Sequence, residues 1–130
     1  MKPPKNDNKY FWTNHVFEKM QYYGLSESRI KRIIRFPKRV EEGIVEDTIA
    51  VMQPAETKRY QEIWVMYKLQ KAPPKADSPL AKNLKNPELA KLLGMDKKIK
   101  IITAWRYPGK SPERDPIPQE IIQEIQTLYL

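Results

Sequence analysis

The amino-acid sequence predicts an α+β fold in which two N-terminal helices and a C-terminal helix pack on a four-stranded, mainly antiparallel sheet. Three observations predict it: two capped helical segments near the start, strand-like segments with short connections, and an amphipathic segment at the end. Because connections of a few residues cannot hold crossover helices, successive strands should run antiparallel. A chain of 130 residues has the size of one domain with its own core.

The domain is expected to span residues 10–130 and to follow a flexible tail. Residues 1–9 contain two Pro, three Lys and two Asn, a composition that favours disorder over packing. Residues 10–12, Tyr-Phe-Trp, suit either a short strand or an apolar plug. Residues 71–96 are a Pro- and Lys-rich insertion between strands, expected to hold one small helix and to act either as a packing flap or as a substrate lid.

The two N-terminal helices are predicted by their capping residues. The first begins after Thr13 or Asn14 and runs to Tyr23, and Gly24 then allows the left-handed conformation that ends many helices. The second begins after Ser26, whose side-chain oxygen can accept from free backbone amides. Its apolar stripe, which should face the sheet, consists of Ile30, Ile33 and Ile34.

Four segments have the composition and alternation of strands. They are residues 40–45, with Gly43 as a bulge, then 48–53, 60–70 and 97–108. The last strand is expected to be the best buried, because apolar residues occupy both of its faces. One face should carry Ile99, Ile101, Thr103, Trp105 and Tyr107, and the other Ile102 and Ala104. Pro108 ends this strand and leaves Arg106, Tyr107 and Lys110 at the rim of the sheet.

The C-terminal helix is predicted over residues 116–129, with Asp115 as its N-terminal cap. A regular apolar stripe runs along it, made of Ile121, Ile122, Ile125 and Leu128. We expect this stripe to pack on the sheet. The alternative is that the helix docks in the groove of a partner protein.

The charge of the chain favours a polyanionic partner such as nucleic acid. Twenty-four Lys and Arg against sixteen Asp and Glu give a formal net charge of +8. The strongest cluster holds six basic residues within eleven positions, namely Arg29, Lys31, Arg32, Arg35, Lys38 and Arg39. Such a cluster suits either an interface with phosphates or a solvated helix face. Arg106 and Lys110 at the rim are further candidates for phosphate contacts.

The composition argues against several classes of protein. Without Cys the chain has no disulfide framework, no thiolate zinc site and no cysteine nucleophile. It has one His and no close array of metal-ligand type, so we expect no metal. No glycine-rich phosphate loop is present, so we expect no nucleotide cofactor. Long apolar runs and a signal-peptide core are absent, which favours a cytoplasmic protein with no membrane contact.

Parts of the chain resemble a small prokaryotic domain family of unknown function whose opening is roughly T-x-H-A-x-x-R-M-x-x-R-G-I-S. The matching residues are 13–15, 18–20, 23–26, 36–37 and 40–43. That family is similar to the RelE and BrnT toxins, so the resemblance implies a compact α+β fold and cleavage of messenger RNA, with or without ribosomes. It also implies a partner antitoxin. At two positions where the family often has Arg, this chain has Lys19 and Tyr23.

A metal-independent endoribonuclease needs a base for the 2′-hydroxyl, cations for the phosphorane and an acid for the leaving oxygen. His15, the only His, has a near-neutral reference pKa, as a general base or acid requires, and it lies in the matching motif. The alternative is that His15 is structural and holds the first helix in place by a hydrogen bond. Arg106 can hold phosphate, and Tyr107 can act as an acid or stack on a base. Spare acid or base candidates are Glu41, Glu42 and Glu62.

Two functions follow from these residues. The first is an RNA-binding protein that contacts RNA through the basic cluster and the rim. If it also cleaves the bound RNA, it is a toxin-type endoribonuclease. The second is a non-catalytic module on the same fold that binds nucleic acid or a protein partner. A shared fold does not distinguish them, because one fold hosts many functions.

Overall fold

A computed structural model describes residues 2–70 and 98–129 of the chain. The strands and helices of these residues are β1 (Tyr10–Trp12), α1 (Asn14–Tyr23), α2 (Glu27–Arg35), β2 (Arg39–Glu42), β3 (Thr48–Pro54), β4 (Gln61–Gln70), β5 (Lys98–Pro108) and α3 (Gln119–Tyr129). The insertion predicted at 71–96, with its helix, lies outside the described residues. No helix in the described part of the chain is long and apolar enough to cross a membrane.

Among the described residues the sheet is mixed and has five strands in the order β1-β5-β4-β3-β2. The α+β class is confirmed, but the prediction of four strands is wrong, because residues 10–12 form a strand that pairs in parallel with β5. The remaining pairs are antiparallel, as predicted. Three residues are too few to show a two-residue period, and Tyr10 pairs with Ile99, far along the chain. Local pattern therefore left this strand undecided.

The predicted caps of α1 and α2 are confirmed. Thr13 Oγ1 accepts from the Val16 amide and also donates to the carbonyl oxygen of Ile101 at 2.9 Å, which ties the start of α1 to β5. Gly24 adopts a φ of +67°, as the left-handed stop requires. Ser26 Oγ accepts from the Arg29 amide at 3.1 Å and opens α2. Local sequence thus determined both helices.

Apolar cores cover both faces of the sheet. The first core lies under α1 and α2 and includes Val16, Met20, Leu25, Ile30, Ile33, Val51, Ile63, Val65 and Ile101. The second lies under α3 and includes Ala50, Met52, Trp64, Met66, Ile102, Trp105, Ile121 and Ile125. Burial of β5 on both faces is therefore confirmed, and so is the packing of the C-terminal helix on the sheet.

A bulge changes which residues of β5 share a face. Met66 pairs with Thr103 while Tyr67 pairs with Ile101, so one extra residue is inserted between the two pairs. Ile101 consequently packs in the first core and Trp105 in the second. The prediction that alternate residues from 99 to 107 share one face is wrong at this point, because a bulge shifts the two-residue period.

Two boundaries differ from those predicted. The helix α3 begins at Gln119, and the Ile122 amide donates to the carbonyl oxygen of Pro118, so Asp115 is not its cap. The strand β2 ends at Glu42. Gly43 follows it, and a Cβ atom there would lie 2.0 Å from Thr48 Oγ1, so the close approach of the β2–β3 turn requires glycine.

Candidate nucleic-acid interface

Three strand ends meet at one end of the sheet, which we call the rim. β3 ends at Pro54, which pairs with Glu62, and β4 begins at Gln61, which pairs with Pro108 at the end of β5. The start of α2 lies against the rim, because Arg29 donates to the carbonyl oxygen of Pro54. Both the helix and the strand ends therefore supply side chains to this region, as predicted for Arg106.

A cleft of about 290 Å³ opens between α2 and the rim. Its charged and hydroxyl-bearing lining includes Arg29, Arg32, Arg106, Glu56 and Thr57, and we call it the arginine cleft. Arg29 and Arg32 are three positions apart on α2, so they share one side of the helix. Arg106 reaches the same cleft from β5, because it pairs with Ile63, a residue of the first core that also lines the cleft.

Two of the three arginines are held in place by backbone oxygens. Arg29 Nη2 lies 2.8 Å from the carbonyl oxygen of Pro54, and Arg106 Nε lies 2.9 Å from that of Tyr23. The guanidinium of Arg32 makes no hydrogen bond or ion pair with the described residues. Each guanidinium has five N–H donors, so all three retain donors for a ligand.

Like charges dominate the arginine cleft. Burial lowers the pKa of Arg29 from its ordinary value, the charge of Arg32 lowers it further, Glu56 raises it and Arg106 lowers it again. Arginine nevertheless stays protonated in proteins, so three cations face one carboxylate. A bound anion would relieve this repulsion, and arginine binds phosphate oxygens in a two-pronged geometry.

The predicted basic residue Arg39 lies on the opposite face of the sheet. It pairs with Met52 of the second core, and its guanidinium carbon lies 5.0 Å from the centre of the Trp64 ring. Its Nη1 donates to the carbonyl oxygen and hydroxyl of Ser111 at 3.1 and 2.9 Å and lies 3.4 Å from Glu62 Oε2. The Arg39 guanidinium, which we predicted to contact nucleic acid, is therefore engaged within the protein.

Glu62 is fully buried at the centre of this arrangement. Its Oε1 accepts from Trp64 Nε1 at 3.1 Å and from both the amide and the hydroxyl of Ser111. Its Oε2 accepts from the Tyr60 hydroxyl at 3.0 Å. We call Glu62, Arg39, Tyr60, Trp64 and Ser111 the Glu62 network. Burial raises the pKa of Glu62, but hydrogen bonds from Ser111, Trp64 and Tyr60 outweigh it, so the pKa lies below its ordinary value.

His15 lies in a third place, a cleft of about 490 Å³ between α1 and α3. Its Nε2 is 3.4 Å from Glu124 Oε2, and Lys19 Nζ is 2.7 Å from Glu124 Oε1. Burial lowers the pKa of His15, while Glu124 raises it, Lys19 lowers it and Glu18 raises it. This cleft shares no lining residue with the arginine cleft.

The predicted catalytic residues are therefore not brought together. Arg106 lines the arginine cleft, whereas its neighbour Tyr107 packs against the second core on the other face. His15 lies in the cleft between α1 and α3. The remaining predicted nucleic-acid contacts, all of them exposed and outside the lining of the arginine cleft, are Arg35, Lys38 and Lys110. Of the nine predicted residues, three converge on one cleft, namely Arg29, Arg32 and Arg106.

Sequence reasoning missed Glu56 and Thr57, because they lie in a connection without any periodic signal. It named Glu62 as a spare acid or base but not as a buried group. A signal was present: Glu62 alternates with Trp64 and Met66, so it shares a face with two large apolar residues. A carboxylate at such a position must be buried with partners, and its network could have been anticipated.

Within residues 2–70 and 98–129, no group of three His, Asp or Glu side chains is placed to hold a metal ion. Comparison of the chain with protein-family models, with curated proteins and with solved structures found no match. A candidate function must therefore be derived from the chemistry of the clefts themselves.

Proposed function

We propose that the protein binds RNA through the arginine cleft. The observation that carries this proposal is the convergence of Arg29, Arg32 and Arg106, from a helix and a strand, on one open cleft. Arginine is the side chain best suited to a phosphate oxygen pair, and two of these three are positioned by backbone hydrogen bonds. The net charge of +8 adds a long-range attraction for a polyanion.

An exposed aromatic ring at the end of α2 favours a single strand over a duplex. Phe36 follows Arg32 by four positions at the end of α2, and its side chain is 70% exposed. Proteins recognise unpaired RNA by stacking its bases on such rings while cations hold the phosphates. A phosphate in the cleft and a base on Phe36 would combine both contacts on one surface.

The proposal includes a RelE/BrnT-like fold acting in the cytoplasm. It is supported by the matching motif and by the packing of two N-terminal helices on one face of a sheet whose strands β2 to β5 are antiparallel. An antitoxin-like protein partner belongs to the same proposal. The C-terminal helix α3, which was predicted, and the parallel strand β1, which was not, are additions to the pattern of that family.

A second candidate function is cleavage of the bound RNA. It is favoured by Glu56, a carboxylate that lines the same cleft as the three arginines. In a metal-independent reaction Glu56 would take the proton of the 2′-hydroxyl as it attacks the phosphorus, and the arginines would stabilise the phosphorane. The bond between phosphorus and the 5′-oxygen then breaks, a water molecule protonates the departing 5′-oxygen, and a 2′,3′-cyclic phosphate remains. His15 and Tyr107 lie elsewhere, so Glu56 is the better-placed base.

The binding proposal is tested with single-stranded, fluorescently labelled RNA and the variants Arg32→Gln and Arg35→Gln. Both residues lie on α2, but only Arg32 lines the cleft. We expect Arg32→Gln to weaken binding about tenfold and to reduce the salt dependence by about 0.7 in the logarithmic slope, since one charge-assisted phosphate contact is lost. Arg35→Gln should change affinity by less than about threefold. Equal losses in both variants, or no salt-sensitive binding by wild type, would contradict the cleft as the site.

The cleavage proposal is tested by incubating end-labelled RNA, with and without ribosomes, with wild type, Glu56→Gln and His15→Gln. We expect products from wild type and from His15→Gln, and at least about a hundredfold slower cleavage by Glu56→Gln, because a positioned base typically contributes that much. Intact RNA in every lane, together with tight binding, would leave a non-catalytic RNA-binding module.

A further inference from the structure

The two edges of the sheet differ in how they are covered. At the β1 edge the N-terminal segment supplies side-chain oxygens: Asn6 Oδ1 accepts from the Trp12 amide at 2.7 Å, and Asp7 Oδ1 accepts from the Tyr10 amide at 2.7 Å. At the β2 edge, no strand of the described residues lies on the outer side. An uncovered edge presents backbone N–H and C=O groups that can pair with another strand.

The β2 edge also carries one exposed apolar side chain, that of Val40. Val40 pairs with Val51, so both face the side of the sheet that holds the first core. Val51 is 1% exposed and Val40 is 58% exposed, because α2 packs over β3 and β4. Phe36, at the end of α2, is exposed on the same side as its helix. The sheet therefore has an apolar, core-facing position that no helix or strand of the described residues covers.

We infer that β2 pairs antiparallel with β2 of a second copy of this chain, so that two copies form a symmetric dimer with a continuous sheet. The sequence around Val40 is Lys-Arg-Val-Glu-Glu, with two cations before Val40 and two anions after it. When Val40 faces Val40 of the second copy, Lys38 faces Glu42 and Arg39 faces Glu41. A two-fold axis makes each of these contacts twice, as an isologous interface requires.

The same charges oppose the other arrangements. A shift by two residues in one direction places Glu41 opposite Glu41 of the second copy, and a shift in the other places Arg39 opposite Arg39. A parallel pair in register would align Lys38 with Lys38. Like charges directly opposite each other destabilise a strand pair, so the charges disfavour these three arrangements.

Lys38 and Glu42 carry most of this selectivity. Arg39 already contacts Glu41 of its own chain at 3.7 Å and Glu62 at 3.4 Å. Neither Lys38 nor Glu42 makes an ion pair with any described residue, and both are exposed. Short charged edge strands also protect sheets from aggregation. Here the charges favour the self-complementary register over the registers shifted by two residues.

Four residues form a small interface, so the dimer should be reversible and dependent on concentration. Opposite residues of an antiparallel pair project from the same face, and the two-fold axis is therefore perpendicular to the sheet. Both copies of α2 then lie on one side, with Val40 of each copy at the axis. This inference is independent of RNA binding and is tested without RNA.

The experiment measures molar mass by sedimentation equilibrium over a range of protein concentrations for wild type, Lys38→Glu and Glu42→Lys. We expect wild type to dimerise and each variant to dimerise at least about tenfold more weakly, because two attractive pairs become repulsive. An equimolar mixture of the two variants should regain the wild-type association, since every Lys then faces a Glu in the mixed dimer. Circular dichroism and thermal unfolding confirm that each variant is folded.

Three results would overturn the inference. The first is that wild type remains monomeric at all concentrations. If another segment of the same chain covers β2, the Val40 amide of this monomer will be protected from hydrogen exchange, and the inference fails in the same way. Both variants could dimerise as strongly as wild type, or the mixture could fail to recover. Val40→Asp serves as a further variant, and it should abolish the dimer without depending on the charge pairs.

Discussion

The arginine cleft and the Glu62 network lie on opposite faces of the same sheet end, and both combine arginine with glutamate. They differ in whether their charged groups have hydrogen-bond partners within the described protein. In the network, the buried carboxylate of Glu62 accepts hydrogen bonds from Ser111, Trp64 and Tyr60, and Arg39 is engaged by backbone and side-chain oxygens. In the cleft, Arg32 makes no such bond with the described residues and is exposed to solvent.

The difference shows that the number of charges in a sequence segment does not reveal their role. Arg32 and Arg39 belong to the same basic cluster, yet one lines an open cleft and the other closes a buried network. Burial of a charge is costly unless it is paired, so removing one member of a satisfied network is strongly destabilising. An open cluster of like charges behaves differently, because its electrostatic repulsion is relieved when an anionic ligand binds.

The largest expected effect is on the stability of the network. We expect Glu62→Ala to lower the free energy of unfolding by about 3–5 kcal/mol, because it leaves the buried Trp64 and Ser111 donors without their acceptor. It also removes one carboxylate partner of the half-buried Arg39. The measurement is equilibrium unfolding in urea. Glu46→Ala is the control, an exposed glutamate in the β2–β3 turn, and should change stability by less than about 0.5 kcal/mol. Similar small changes in both variants would show that the network does not stabilise the fold.

The next effect separates the two arginines. Arg39→Lys keeps the charge but loses the two guanidinium nitrogens that donate to Ser111 and to the carbonyl oxygen of Pro112. We expect the free energy of unfolding to fall by about 1–3 kcal/mol. Arg32→Lys should stay within about 0.5 kcal/mol of wild type, since no described hydrogen bond is lost. Unfolding in urea measures both. An equal loss in the two variants would remove the distinction between cleft and network.

Much of the fold followed from local sequence, because caps act within a few residues. Thr13, Gly24 and Ser26 were sufficient to place α1 and α2. The β5 bulge and the pairing of β1 were not predictable in this way, since they depend on partners distant in sequence. The site was predicted in part: residue type identified Arg29, Arg32 and Arg106, but only the sheet could show that Arg39 and Tyr107 face the other side.

A smaller effect follows from the pKa of Glu62. That pKa is lowered in the folded protein, whereas in the unfolded chain it lies near the ordinary value of 4.5. Below 4.5 the unfolded chain therefore binds a proton that the folded protein does not, and stability falls as the pH drops through the folded pKa. We expect wild type to lose stability faster than Glu62→Gln in this acidic range. Parallel curves for the two proteins in urea unfolding would contradict the role of the ionised carboxylate.

The smallest effect concerns binding of a simple anion to the cleft. Sulfate presents the same oxygens as a phosphate group, and a ligand that binds only the folded state stabilises it by about 0.4 kcal/mol when its concentration equals the dissociation constant. We expect sulfate to stabilise wild type and Arg35→Gln more than Arg32→Gln, with ionic strength held constant by chloride. Sulfate also stabilises proteins by exclusion from their surface, and this general effect is equal in all three. Equal stabilisation of the three proteins would mean that the arginine cleft holds no anion, and RNA would then have to bind elsewhere.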